Sequence, residues 1–317
     1  MNDERAFAYR FKNVLRVAYT LPFVMASVTG AVFALTVRQE WLMALLIPLD
    51  VFFLAMFVNL TNDYFDHKSG TDKVRFTMTD RAFEQRASGE FSQKMYWQGN
   101  SFDRSLITEK GGKRLILFLA AVACTIALPI VLFGGILVLV MGAVAFFLSF
   151  FYTAPPLNLG SRGLGELDVG LSFAFMAFFS YYVIVQQYSW TMLLISITVG
   201  MNVMNMRIVD EMSGREAHKA AGERDLVVRL GIDGATSVMT GTTVCMYALC
   251  AVLVYINWTY FLLFLTIPLS FKAIRYLRQK KDEFWMIRPV LEVFKLALAH
   301  MFLVVAILTL QSAVTFA

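Results

Sequence analysis

The chain has 317 residues, of which 58% are hydrophobic and only 16% charged, with a formal net charge of +5. So few polar residues cannot cover a soluble protein of this size, and the same balance excludes a disordered chain and a disulfide scaffold. Long apolar runs recur from Val17 nearly to the C-terminus, which defines a polytopic membrane protein.

Stretches long enough to cross a hydrocarbon layer of ~30 Å need about 20 apolar residues. Nine such stretches occur, at about 17–37, 41–61, 115–133, 134–152, 164–187, 190–209, 235–256, 258–277 and 289–314. The expected fold class is therefore all-α, with nine transmembrane helices. The first stretch is too long for a signal-peptide core, lacks a small-residue cleavage site and runs straight into a second span, so it is expected to be retained. One domain is expected over residues 1–317, with long loops at about 62–114 and 210–234. Cys124, Cys245 and Cys250 fall inside apolar runs without metal-ligand spacing and are expected to pack as small apolar side chains.

Lysine and arginine should collect in alternate loops on the cytoplasmic side. All but two of the 28 do so: Arg38 lies in an opposite loop and Lys295 within a span. The expected orientation has the N-terminus and both long loops in the cytoplasm. The basic balance follows from this topology, and no nucleic-acid partner is implied.

The two long loops carry most of the acidic groups. The second span runs out as Asn59-Leu60-Thr61-Asn62-Asp63-Tyr64-Phe65-Asp66-His67-Lys68, followed by Asp72. On a continuing helix Asn59, Asn62, Asp63 and Asp66 recur at steps of three and four and share a face. The sixth span leaves as Arg207-Ile208-Val209-Asp210-Glu211-Met212-Ser213-Gly214-Arg215-Glu216-Ala217-His218-Lys219. There Arg207, Asp210, Gly214 and His218 form a stripe flanked by Glu211 and Glu216. Two acidic faces at one membrane surface could hold divalent cations, and oxygen ligands without cysteine favour Mg²⁺, whose shell is commonly completed by phosphate. A pyrophosphate substrate follows. The competing explanation is that both stretches are solvated loop faces balancing nearby lysines and arginines. Position argues against it, because each face begins with asparagine inside an apolar run, where an unpartnered amide is costly.

Three separated blocks resemble the UbiA-type intramembrane prenyltransferases. Asn62-Asp63-Tyr64-Phe65-Asp66 through Asp72 is similar to the family's first aspartate-rich motif, and with Lys68-Ser69-Gly70 to the branch that prenylates dihydroxynaphthoate. Tyr152-Thr153-Ala154-Pro155-Pro156-Leu157 through Glu166 resembles the segment between the fourth and fifth spans, and Arg207 to Gly231 the second motif with its tail. The resemblance implies a helical bundle around a central cavity open to the membrane, holding Mg²⁺ and a prenyl pyrophosphate. It assigns Asn62, Asp66, Asp72 and Asp210 to metal or diphosphate, with Asp63 nearby. Where the family has further aspartates four and eight residues after Asp210, this chain has Gly214 and His218, so Glu216 or Glu211 is expected to supply the missing carboxylate. The first loop also departs from the family: residues 74–113 are long and include Phe91, Tyr96, Trp97 and Phe102. They form either a cap over the site or an insertion without fixed structure.

The chemistry so implied is departure of an allylic pyrophosphate and capture of the resulting carbocation by an acceptor. Asp66 and Asp210 are the expected catalytic carboxylates. Tyr152 is the expected wall residue steadying the cation through its ring, with Tyr64 and Phe65 as further aromatic neighbours. Lys68, Arg75, Arg81, Arg207 and Lys219 are the cations within reach of a diphosphate, though each is also explained as positive-inside charge. Asp50, within the second span, is either a structural hydrogen-bonding group or a cavity group. Glu292 and Lys295 are expected to pair, and His300 to be a hydrogen-bonded packing residue. The acceptor expected is an aromatic quinone precursor such as a dihydroxynaphthoate or hydroxybenzoate. The alternatives are a prenylated glycerol phosphate in ether-lipid synthesis, or a non-catalytic transporter or lipid-binding protein. Besides substrates, membrane lipids are the expected partners, and no feature specifies an oligomeric state.

Overall fold

The computed structural model describes residues 10–70, 100–152, 154–220, 222–279 and 287–315. Among these the architecture is entirely helical. After a 3₁₀ turn at Val17–Thr20 come α1 (Leu21–Leu35), α2 (Trp41–Ser69), α3 (Glu109–Gly134), α4 (Ile136–Phe151), α5 (Gly165–Val185), α6 (Trp190–Ala220) and α7 (Leu226–Ile256). A 3₁₀ segment Trp258–Thr266 leads into α8 (Ile267–Gln279), and α9 (Ile287–Thr315) closes the chain. Eight helical segments among the described residues are long and apolar enough to cross a membrane, and α4 is a shorter apolar helix.

Local signals account for the helix ends. Gly70, at φ 78°, adopts the left-handed conformation that terminates α2 and returns its N–H to the Asp66 carbonyl. Thr108 caps α3 by accepting from the Gly111 N–H, and Asp225 caps α7 by accepting from the Val228 N–H. Gly231, at φ 70° and ψ 174°, breaks α7 after its first turns. This places the expected 235–256 span beyond the break and leaves the turns before it as a separate block. α2 and α6 both outrun their expected spans, so the two acidic stretches ride on rigid helical extensions.

Packing is densest where glycine lets backbones meet. A Cβ on Gly30 of α1 would overlap the Ala177 carbonyl oxygen of α5, and one on Gly200 of α6 would overlap the Gly170 carbonyl oxygen of α5. Small residues at such crossings are how membrane helices approach closely. We expect Gly30→Ala to destabilise the fold by about 1–3 kcal/mol through overpacking, read as a lowered melting temperature in detergent. An unchanged melt would mean that α1 and α5 shift apart freely.

The main core joins α1, α5, α6 and α9 through residues such as Ala26, Ala177, Val199 and Val304. A second cluster ties α6 to α7, α8 and α9 through Ile208, Met239 and Ala273, and a third packs the N-terminal segment against α2 and α3 through Leu15, Leu60 and Leu119. Trp41, Tyr188, Trp190, Tyr255 and Trp258 are exposed at one end of the bundle, where an aromatic belt would meet a membrane interface. The opposite end gathers the C-termini of α2, α4 and α6 and the N-termini of α5 and α7. Glu292 and Lys295 pair at 3.1 Å, and His300 Nε2 bonds Thr198 Oγ1 at 2.9 Å. Asp50 Oδ1 is buried without a hydrogen-bond partner. The cysteines are unpaired, Cys250 buried and the other two exposed on the apolar surface.

Candidate active site

Tyr152 caps the C-terminus of α4, with Asp66 of the first polar stretch and Arg207 of the second around it. Its hydroxyl is buried and lacks a hydrogen-bond partner. The charges close enough to act on it are those of Arg207, Glu166, Asp168 and Asp66, and the Arg207 guanidinium lies 5.7 Å from its ring centroid. The residues after Tyr152 fold back on it: the Leu159 and Gly160 N–H groups donate to the Phe151 and Tyr152 carbonyls. Glu166, buried at the start of α5, accepts from the Leu226 N–H at 2.9 Å, and Arg229 donates to the Arg162 carbonyl at 3.0 Å. These bonds tie the α4–α5 connection to the start of α7 and so set Tyr152 beside the second motif.

From α2, the Asn62 Oδ1 and Asn59 Nδ2 atoms are buried without hydrogen-bond partners, one turn apart on the face that carries Asp66. Asp210 on α6 keeps its carboxylate partly exposed, with the Arg207 guanidinium 3.6 Å away. The Asn62 amide oxygen and the carboxylates of Asp66 and Asp210 are hard oxygen donors, the ligand type that fits Mg²⁺. Aromatic rings continue from this end into the bundle: Phe65 contacts Phe150 at 5.9 Å between centroids, Phe150 contacts Phe146 at 6.1 Å, and Phe146 stacks on Phe57 at 5.5 Å.

Other expected residues are engaged elsewhere. Asp63 is fully buried and points away from its neighbours in the motif, into an ion pair with Arg16 and a hydrogen bond from the Ser101 N–H at 3.1 Å. Asn100 donates to its carbonyl, so Asp63 clasps the N-terminal segment and the end of the first loop onto α2. Lys68 pairs with Glu109 at 2.7 Å, and His67 meets Asp103 at 2.6 Å and stacks on Phe102. The described end of the long loop is thus docked on α2. Glu216 is exposed and paired with Arg215, and Lys219 is exposed. Arg75, Arg81 and Asp72 lie outside the described residues.

Glu211 and His218 turn inward instead. Glu211 is buried and ion-paired with Arg207, and the His218 Nδ1 lies 2.6 Å from its Oε2. The same nitrogen hydrogen-bonds Asp225 Oδ2 at 2.8 Å, while Asp225 Oδ1 accepts from Val228. Glu211, His218 and Asp225 thereby form a compact buried group. The sequence carried part of this signal, since Arg207, Glu211 and His218 recur at steps of four and seven, but the Asp225 contact depends on α7 folding back. Burial works against the charge of Asp225, yet the hydrogen bonds from His218 and the Val228 N–H hold its carboxyl below the usual range. Because the folded value is depressed, this contribution is complete above about pH 4, the ordinary carboxylate value, and is lost as the pH falls through the lower folded value. Asp225→Ala removes both the cap and the partner of His218, and is expected to cost at least the ~0.5–2 kcal/mol of a helix cap in a melt at neutral pH.

The polytopic helical bundle defines the class: an integral multi-pass membrane protein. The chain matches the UbiA prenyltransferase family over residues 21–298 and belongs to it. A 2-carboxy-1,4-naphthoquinone phytyltransferase of Synechocystis sp. is 32% identical over 150 residues, 46% of this chain and 49% of that protein. The match therefore spans about half the length of this curated relative. A UbiA homolog from Archaeoglobus fulgidus bound to DMAPP and Mg²⁺ is similar in structure, with a TM-score of 0.65 at 14% identity over 94% of this chain and 99% of that one. A UbiA homolog from Aeropyrum pernix K1 gives 0.62 at 13% identity over 93% and 98%. A digeranylgeranylglyceryl phosphate synthase gives 0.59 at 16% identity over 94% and 97%. At these identities the structures establish the shared fold.

Proposed function

We propose that the chain is a Mg²⁺-dependent membrane prenyltransferase that moves an isoprenoid chain from a prenyl pyrophosphate to an aromatic quinone precursor of the dihydroxynaphthoate or hydroxybenzoate kind. The observation that carries this reading is the convergence of Asp66 and of Arg207 with its neighbour Asp210 on the buried, unpartnered Tyr152 hydroxyl. Family membership supports the reaction class, and the name of the Synechocystis relative supports the acceptor class. The excess of lysine and arginine at this end of the bundle supports a cytoplasmic site and N-terminus.

In this reading Asn62, Asp66 and Asp210 hold Mg²⁺, with Asp72 extending the first motif. Bound Mg²⁺ supplies Lewis-acid stabilisation of the negative charge on the departing pyrophosphate. Arg207, a fixed planar fork, binds the diphosphate oxygens from the α6 side, and the Tyr152 hydroxyl donates to the same group. The Tyr152 ring, with Phe65 and Phe150, walls the allylic cation by its π face. The Phe146 and Phe57 rings below it give the isoprenoid tail an apolar surface. Exclusion of water by these side chains leaves the acceptor ring as the nucleophile that captures the cation, and the attacked ring carbon then loses its proton, or its carboxyl group as CO2, to restore aromaticity.

The test is pyrophosphate release by the purified full chain, with allylic diphosphates of several lengths, each paired with aromatic or glyceryl phosphate acceptors, in Mg²⁺ or chelator. Release that requires Mg²⁺ and an aromatic acceptor is expected. Release only with glyceryl phosphate would move the chain to the ether-lipid alternative, and none with any pair, from folded protein, would defeat the enzymatic reading.

A further inference from the structure

Arg207, Glu211 and His218 occupy one face of α6, and Asp225 meets them from the cap of α7. They form a chain of contacts: Arg207 is paired with Glu211, Glu211 lies beside His218, and His218 is hydrogen-bonded to Asp225. Glu211 is 1% exposed, and neither of its oxygens has an aligned hydrogen bond. A buried carboxylate in that state depends on nearby cations and donors for its stability, and those at hand are Arg207 and His218.

We propose that His218 is a positioning residue: through buried Glu211 it fixes the Arg207 guanidinium beside Tyr152 in the pose that binds the diphosphate of the allylic substrate. The inference rests on the prenyl-transfer reading and adds to it the side chains that hold its arginine. Asp225 anchors the imidazole from one side, itself held by the Val228 N–H at 2.7 Å. His218 Nδ1 lies beside Glu211 Oε2 while Arg207 pairs with Oε1, so the carboxylate is held from both sides and the guanidinium keeps its place 5.7 Å from the Tyr152 ring centroid and 3.6 Å from Asp210. Bidentate binding of a phosphate needs such a fork held in one orientation.

A cation held directly by Glu211, His218 and Asp225 is the competing use of the cluster, and distances decide against it. Ligand atoms about 2.0–2.1 Å from a tetrahedral metal lie roughly 3.3 Å from one another. The separations at His218 Nδ1 are 2.6 Å to Glu211 and 2.8 Å to Asp225, both shorter than that spacing, and the second is a hydrogen bond.

The experiment is calorimetric titration of the full chain in detergent with inorganic pyrophosphate and Mg²⁺. His218→Leu is expected to weaken binding by roughly tenfold to a hundredfold, the range carried by one hydrogen bond to a charged group, and Arg207→Gln by a similar factor. In the Arg207→Gln background, His218→Leu is expected to add less than about twofold, because its effect passes through the missing guanidinium. His218→Asn, which retains a donor near the Nδ1 position, is expected to recover most of the loss. If His218→Leu does not fold, Glu211→Gln replaces it in the same cycle, with the same non-additive result expected. Equal losses in both backgrounds, no loss at all, or a metal that stays with the wild-type chain through dialysis and leaves in His218→Leu would each overturn the proposal. Wild-type protein that binds no Mg²⁺-pyrophosphate would defeat the prenyl-transfer reading together with it, whereas tight wild-type binding with additive variants would remove only the role of His218.

Discussion

Asp66→Ala and Asp210→Ala are each expected to lower Mg²⁺-dependent pyrophosphate release by at least about 10²–10³-fold, with little change in melting temperature. The scale is that of removing one preorganised group that stabilises developing charge. Both carboxylates belong to the oxygen-rich end of the bundle, and Asp210 remains partly exposed, so neither substitution opens a hole in the core. A second signature should accompany the loss: the concentration of Mg²⁺ needed for half-maximal release should rise in any residual activity, because the missing groups are metal ligands in the proposed site. Wild-type Mg²⁺ dependence in a slow variant would instead place the carboxylate outside the metal shell. The measurement is initial-rate pyrophosphate release across a Mg²⁺ series, normalised to folded protein.

Asp63→Ala should do the opposite, although Asp63 lies only three residues from Asp66 in the same motif. Its carboxylate is fully buried, and its removal takes the Asp63 ion pair from Arg16 and the acceptor from the Ser101 N–H. Breaking a buried pair from one side costs about 3–5 kcal/mol, which should appear as a large drop in melting temperature and release of the N-terminal segment to protease. Replacing both partners with apolar residues, Arg16→Met with Asp63→Leu, should be less harmful than Asp63→Ala alone, because no uncompensated charge is then buried. If Asp63→Ala melts normally and loses pyrophosphate release as Asp66→Ala does, Asp63 is a ligand and the clasp is incidental.

The contrast between Asp63 and Asp66 shows where the motif stopped being informative. Spacing placed Asn59, Asn62, Asp63 and Asp66 on one face, and α2 does continue as a helix through Ser69. Yet the partners of Asp63 lie 47 and 38 residues away in sequence, and no periodicity within the motif reports them. The second motif is similar. Gly214 and His218 stand where the family resemblance implies acidic residues, which makes Glu216 or Glu211 the expected substitute. In the structure Glu216 faces solvent beside Arg215, while Glu211 is buried with Arg207 and His218.

What the sequence alone determined was the part governed by local composition: a membrane protein, all-helical, with spans where apolar runs reach bilayer length, Asp66 and Asp210 on helices that leave the bundle at one end, and family membership written in three separated blocks. Hydrophobic length and helical period are properties of contiguous residues, so they survive without knowledge of the fold. The tertiary structure decided which charges neutralise one another. It turned Asp63 toward Arg16, set Lys68 on Glu109, brought Glu166 to the start of α7 and closed Asp225 on His218. The reason is that a buried charge such as that of Asp63 or Asp225 is tolerated only with a partner, and in all four contacts the partner lies on a different element, so the assignment of each charge follows from packing.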